Sequence, residues 1–175
     1  MGTKLSSKAA KTGGTPVYYT YAKTQLGPIL LTSDGKTLTG LYWKVFRRAP
    51  TPEADWVEDA AAFADVLREL DEYLAGKRQH FDVPYRAEGT AFQKQVWQAL
   101  EQIPFGASAS YREIATAIGR PKAVRAVGTA VGSNPVCIIV PCHRALGSGQ
   151  TLNGYAGGLD AKRALLKLEH IPYVA

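Results

Sequence analysis

The chain of 175 residues has only two cysteines, three histidines and one methionine. Two cysteines cannot build the disulfide framework of a small secreted domain. Cys137 and Cys142 lie five positions apart in a strand-like run, a poor geometry for a bridge, and both are expected to be free thiols. No apolar run approaches the roughly 18 residues of a membrane span, and the first residues lack the apolar core of a signal peptide, so no membrane partner is expected and the expected location is cytoplasmic. Acidic residues are missing from positions 1–14, which carry Lys4, Lys8 and Lys11.

That segment supplies half of the net charge of +6, which comes from 21 Lys+Arg against 15 Asp+Glu. Residues 1–15 are expected to be a disordered basic tail. The folded remainder is only mildly basic, so charge alone does not establish nucleic-acid binding.

Residues 16–84 read as one unit. VYYTYA and PILLTS alternate as strands do, and Ser33-Asp34-Gly35-Lys36 turns the chain into TLTGLYWK, which predicts a small antiparallel sheet. Residues 59–75 predict an amphipathic helix carrying Phe63, Val66, Leu67, Leu70 and Leu74 and stopped by Gly76. FDVPYRAEG then reads as a linker.

Residues 90–175 read as a second, mainly helical unit. Thr90 with Gln93 and Ser110 with Glu113 are two capping boxes, each announcing a helix. Phe92, Val96, Trp97, Leu100 and Ile103 share a face of the first; the second, YREIATAI, ends at Gly119. KAVRAVGTAVGS predicts a further helix, giving the outline of a helix-turn-helix, a pairing that also occurs in helical packing without DNA. Asp160 reads as the N-cap of AKRALLKLEH, which leaves Glu169 at the negative end of its dipole, with a solvated surface glutamate as the plain alternative. The fold class expected is therefore mixed α/β (α+β).

Chemistry concentrates in Asn134-Pro135-Val136-Cys137-Ile138-Ile139-Val140-Pro141-Cys142-His143-Arg144, where an apolar run delivers a cysteine beside a histidine. A thiol with a pKa of about 8.5 is mostly protonated at neutral pH, and an imidazole that takes its proton raises its reactivity. The competing reading is a buried cysteine packing as a small hydrophobe. Pro141 argues against it, because it ends the run before Cys142 and places that residue at a pocket rim.

PCHR at 141–144, with Asn134-Pro135 and an arginine-bearing helix before it and GYAGG and LLKLE after it, resembles the O6-alkylguanine-DNA alkyltransferases, the methylated-DNA–protein-cysteine methyltransferases. The resemblance runs from about Thr90 to Glu169. It implies DNA repair, in which a flipped-out O6-alkylguanine gives up its alkyl group to Cys142, irreversibly and without turnover. It further implies that His143 is the base, acting through a water, that Glu169 orients it, and that Tyr111 donates a hydrogen bond to the leaving base. Arg125 corresponds to an arginine that fills the vacated stack, with Lys122, Ala123, Ala126 and Ala130 on the DNA-facing helix, and Asn134 ties that helix to the active-site segment. Tyr155 and Ala156 correspond to the pocket wall, and Cys137 and Ala145 to its flanks. The implied partner is double-stranded DNA containing O6-alkylguanine, met by a monomer with no cofactor. Some members hold zinc, but this chain has no cysteine before 137 and only His80, His143 and His170, so no metal is expected.

Two other classes compete. A lesion-binding or regulatory protein would mark damage without chemistry, although Cys142 argues against it. A cysteine hydrolase would need an oxyanion hole and would turn over, whereas repair gives one burst equal to the protein present.

Overall fold

The computed structural model describes residues 15–175, so all but the last residue of the expected tail lies outside the described residues. Strands β1 (Tyr18–Thr24), β2 (Gly27–Ser33) and β3 (Leu38–Trp43) form consecutive hairpins. In the second, the Asp34 carboxylate accepts from the Lys36 and Thr37 N–H groups and Gly35 takes a φ of +101°, which few other residues tolerate. Strand β2 is central, and its run Ile29–Leu31 is buried throughout because the sheet is covered on both faces.

The sheet is not purely antiparallel. A short β4 (Val57–Glu58) joins the far edge parallel to β1, giving the order β3-β2-β1-β4. Two residues carry no detectable alternation, so this strand was invisible in the sequence. The expected helix over 59–75 is a 3₁₀ turn, Ala60–Phe63, followed by α1 (Ala64–Leu74), which buries Phe63, Val66, Leu70 and Tyr73. The supposed linker also carries structure. Leu38 N–H donates to the Pro84 carbonyl at 2.9 Å and Arg86 N–H to the Leu38 carbonyl at 2.8 Å, so Tyr85 extends the free edge of β3.

Both capping boxes are formed. Thr90 and Gln93 cap α2 (Ala91–Glu101), and Ser110 and Glu113 cap α3 (Tyr111–Ala117), which starts directly from the two-residue strand β5 (Ala109–Ser110). Helix α4 (Val124–Gly132) begins two residues later than the sequence pattern suggested, leaving Lys122 in the preceding turn and Ala123 as the N-cap. Helix α5 (Leu159–Leu168) is capped by Gly158 at a φ of +90°, not by Asp160. Asp160 lies within the first turn and pairs with Arg163 on the surface.

The apolar run after α4 is not a strand. It makes a single bridge to β3, with Leu41 N–H donating to Pro135 O at 2.8 Å and Cys137 N–H to Leu41 O at 3.0 Å. Ile138 then takes a φ of +72°, a region that a β-branched residue enters at a cost of about 1–3 kcal/mol. The chain doubles back there, passes through Pro141, and makes a 3₁₀ turn at Cys142–Arg144 before β6 (Ala145–Leu146) pairs with β5.

A candidate active site in a cleft beside the second helix of the turn

A cavity of about 540 Å³ lies between α3, α4, the 134–142 segment and the loop 153–156. Tyr111, Arg125, Cys137, Cys142, Tyr155 and Ala156 all line it, which gathers six of the expected residues around one space. Asn134 lines it too, while its side chain braces the turn. Its Nδ2 donates to Val140 O at 2.8 Å and its Oδ1 accepts from Val136 N–H at 2.9 Å.

The wall opposite Cys142 is held from the sheet. Trp43 Nε1 donates to the Tyr155 hydroxyl at 3.1 Å, and Gly157 lies so close to the Trp43 ring that an added Cβ would sit 2.6 Å from it. Only glycine permits that approach.

Cys142 is 4% exposed. The neighbouring Cys137 thiol pulls its pKa below the ordinary thiol value against the opposing effect of burial, with help from Asn134 and the Lys162 charge. Cys137, whose thiol donates to Asn134 O at 3.7 Å, is pushed the other way by its neighbour Cys142 and by burial. Lys162 is fully buried, with Nζ donating to Ala145 O at 2.8 Å and Gly154 O at 3.4 Å, and burial lowers its pKa to about 8.

Behind Cys142, His143 is completely buried, and its Nε2 lies 2.7 Å from Glu169 Oε2. Burial holds the imidazole below its ordinary pKa in spite of that carboxylate, so it is neutral near pH 7. An ionised carboxylate only accepts, which leaves the proton on Nε2 and the lone pair on Nδ1, an atom with no protein hydrogen-bond partner.

Glu169 is not a solvated surface residue. Besides His143 it accepts from Arg144 Nε at 2.8 Å, Arg144 Nη2 at 3.1 Å, Gly106 N–H at 3.2 Å and the Tyr73 hydroxyl at 2.5 Å. Burial alone would raise its pKa, but the bonds from His143, Arg144 and Tyr73 outweigh it and hold the carboxyl at about 2. Five donors thus offset its adverse position at the end of α5.

The expected DNA-facing residues divide. Lys122, Arg125 and Ala126 are exposed, and Ala123 is half-buried. Ala130 is 2% exposed and faces the core, where its carbonyl accepts from Trp97 Nε1 at 2.9 Å; its small side chain serves helix packing. Ala145 is also misplaced as a pocket flank. It is wholly buried in β6 against Ala109 and does not line the cavity, because the 3₁₀ turn carries the chain away from the pocket immediately after Cys142.

Sequence reasoning missed Tyr73, Arg144 and Lys162, which support the site from behind, and Phe46 and Asn153, which line it. Tyr111 has its hydroxyl pKa raised chiefly by burial and further by the Cys142 charge, so the phenol stays protonated. For Asn153, its place just before GYAGG was the one available signal. Among the described residues no three His, Cys, Asp or Glu side chains gather as metal ligands, and no helix is long and apolar enough to cross a membrane.

Comparison with known proteins adds three findings. The family model for the 6-O-methylguanine DNA methyltransferase DNA binding domain matches residues 91–171, and that for the same protein's ribonuclease-like domain matches residues 17–87. A methylated-DNA–protein-cysteine methyltransferase of Haemophilus influenzae is 46% identical, over 91% of this chain and 90% of its own length; one from Methanosarcina barkeri is 48% identical, over 87% and 97%. The crystal structure of Mycobacterium tuberculosis OGT in complex with DNA superposes with a TM-score of 0.83 at 44% identity, covering 87% of this chain and 93% of that one.

Proposed function

We propose, from the premise that this chain belongs to the 6-O-methylguanine DNA methyltransferase family, that Cys142 is the alkyl acceptor in direct repair of O6-alkylguanine in double-stranded DNA. The observation that carries the assignment is the position of Cys142 on the wall of the cavity, with the buried His143–Glu169 pair directly behind it. The protein is a methylated-DNA–protein-cysteine methyltransferase in activity and a single-use reagent in kinetics.

The chemistry is a displacement at the alkyl carbon. His143 Nδ1 takes the thiol proton through a bridging water, and Glu169 stabilises the imidazolium that results. The Cys142 sulfur forms a bond to the alkyl carbon as the carbon–O6 bond breaks, and the electron pair leaves on guanine. Tyr111 remains protonated and donates to the departing base, while Tyr155 and Ala156 form the wall against which the base rests. The product thioether has no leaving group, so the cysteine is not regenerated.

Reaching the lesion requires flipping it from the duplex, at a cost of a few kcal/mol. Arg125 is exposed at the mouth of the cavity on α4 and occupies the vacated stack, with Ala126 small enough to enter a minor groove. Lys122 and Ala123 lie at the start of the same helix, where phosphate is favoured. The protein works as a monomer in two units, 16–84 and 90–175, in the cytoplasm with the chromosome.

Incubation with a duplex containing O6-methylguanine, followed by mass measurement, should show one added methyl group on the peptide containing Cys142, in a burst equal to the protein present. Tight lesion binding with no mass change would establish a damage-marking protein, and repeated turnover a hydrolase.

A further inference from the structure

The spacing of the two cysteines argued against a bridge because it assumed a strand between them. The left-handed Ile138 removes that assumption. Ile139 N–H donates back to Cys137 O at 2.8 Å, Val140 N–H donates to Val136 O at 3.0 Å, and Cys142 N–H donates to Val140 O at 2.8 Å. Cys137 is thereby bridged to Val140, and both thiols line the same cavity, which reaches solvent beside the exposed Arg125. The Cys137 thiol donates to Asn134 O at 3.7 Å, each thiol shifts the ionisation of the other, and the chain has no third cysteine to compete.

We propose that Cys137 is a resolving thiol, so that a hydroperoxide entering the cavity converts the pair to a reversible Cys137–Cys142 disulfide that masks the alkyl acceptor without destroying it. The Cys142 thiolate attacks the terminal peroxide oxygen; a sulfur–oxygen bond forms, the oxygen–oxygen bond breaks, and the other oxygen leaves as hydroxide from hydrogen peroxide, or alkoxide from an organic hydroperoxide, to be protonated to water or alcohol. Cys142 is then a sulfenic acid. The Cys137 sulfur attacks the Cys142 sulfur, a sulfur–sulfur bond forms, the sulfur–oxygen bond breaks, and water leaves with the Cys137 proton. One hydroperoxide is reduced for each pair of thiols oxidised. The thiol pKa is lowered at Cys142 and raised at Cys137, which favours Cys142 as the thiol that reacts with the oxidant. Without a resolving thiol nearby, the sulfenic acid is open to further, irreversible oxidation.

Both cysteines fall in one tryptic peptide, from Ala126 to Arg144, which makes the proposal directly readable. The protein is treated with hydrogen peroxide, blocked with iodoacetamide, digested and weighed, then assayed for its alkyl-transfer burst before and after dithiothreitol. The expected result is a peptide that has lost two hydrogens and takes no iodoacetamide, with most of the burst restored by dithiothreitol. Cys137→Ala and Cys137→Ser, each compared with its own untreated burst, should instead gain oxygen at Cys142 and recover little. Wild-type peptide that gains oxygen without losing two hydrogens, or wild-type and both variants losing activity with equal irreversibility, overturns the proposal. The mass of the peptide does not depend on Cys142 being the alkyl acceptor, so failure here is distinguishable from failure of the repair assignment.

Discussion

Replacing Glu169 by Gln should cost this protein far more than a surface substitution would, because a carboxylate that accepts five hydrogen bonds has no amide equivalent. The amide offers one acceptor oxygen and turns two donors toward groups that are themselves donors. It also leaves the Arg144 guanidinium, which is 8% exposed, without its counter-charge. Stranding one member of a buried pair costs about 3–5 kcal/mol, which corresponds to a fall in Tm of roughly 10 °C for a chain of this size. The pH dependence supplies an independent check. Folding lowers the Glu169 pKa from 4.5 to about 2, so its contribution is complete above about pH 4.5 and is lost as pH falls toward 2. The shift corresponds to about 3 kcal/mol. His143 is also lowered on folding, so its contribution has the same sign and begins to fade once pH falls below 6.5. Urea denaturation of wild type and Glu169→Gln between pH 7 and 2.5 should therefore show a large gap at neutral pH that narrows below pH 4.5. Adding Arg144→Met to the variant should recover part of the loss, since the stranded charge is gone. A Glu169→Gln protein with a Tm within about 2 °C of wild type at pH 7 would refute the account of a saturated buried carboxylate.

Cys142→Ala should abolish alkyl transfer while retaining binding to lesion-containing duplex, measured by gel shift; loss of both would mean that the cysteine holds the fold. Arg125→Ala should slow reaction on duplex much more than on free O6-alkylguanine, because only duplex needs the vacated stack filled, and equal losses would remove Arg125 from that role. Ala145→Val should leave the ratio of O6-ethyl to O6-methyl single-turnover rates unchanged, since Ala145 does not line the cavity; an altered ratio would return it to the pocket wall.

Local signals in the sequence reported local structure well. The hairpin at Asp34-Gly35, the two capping boxes and the helix-turn-helix outline each depend on residues within a few positions of one another, and each formed. What depended on distant partners was illegible. Tyr73 is one more apolar-face residue of α1 until the fold places its hydroxyl on Glu169, which lies 96 positions later. Lys162 looked like a surface lysine in an amphipathic helix, and only the buried carbonyls of Ala145 and Gly154 explain its burial. The continuous apolar run from Val136 to Val140 suggested a strand, yet Pro135, Pro141 and the left-handed Ile138 leave room for only one bridge to β3. That error alone separated the two thiols on paper. Ala130 and Ala145 were assigned from helix face and motif position, neither of which specifies which side the neighbouring element covers.

The bond from Tyr73 to Glu169 joins the two halves of the chain at the base of the reactive centre, and β3 grips the nucleophile segment through Leu41. A nascent chain whose sheet has not yet docked therefore lacks one donor to the orienting carboxylate and the two backbone bonds that shape the Cys137 turn. The full set of contacts that supports the cysteine exists only when both halves of the chain are packed together.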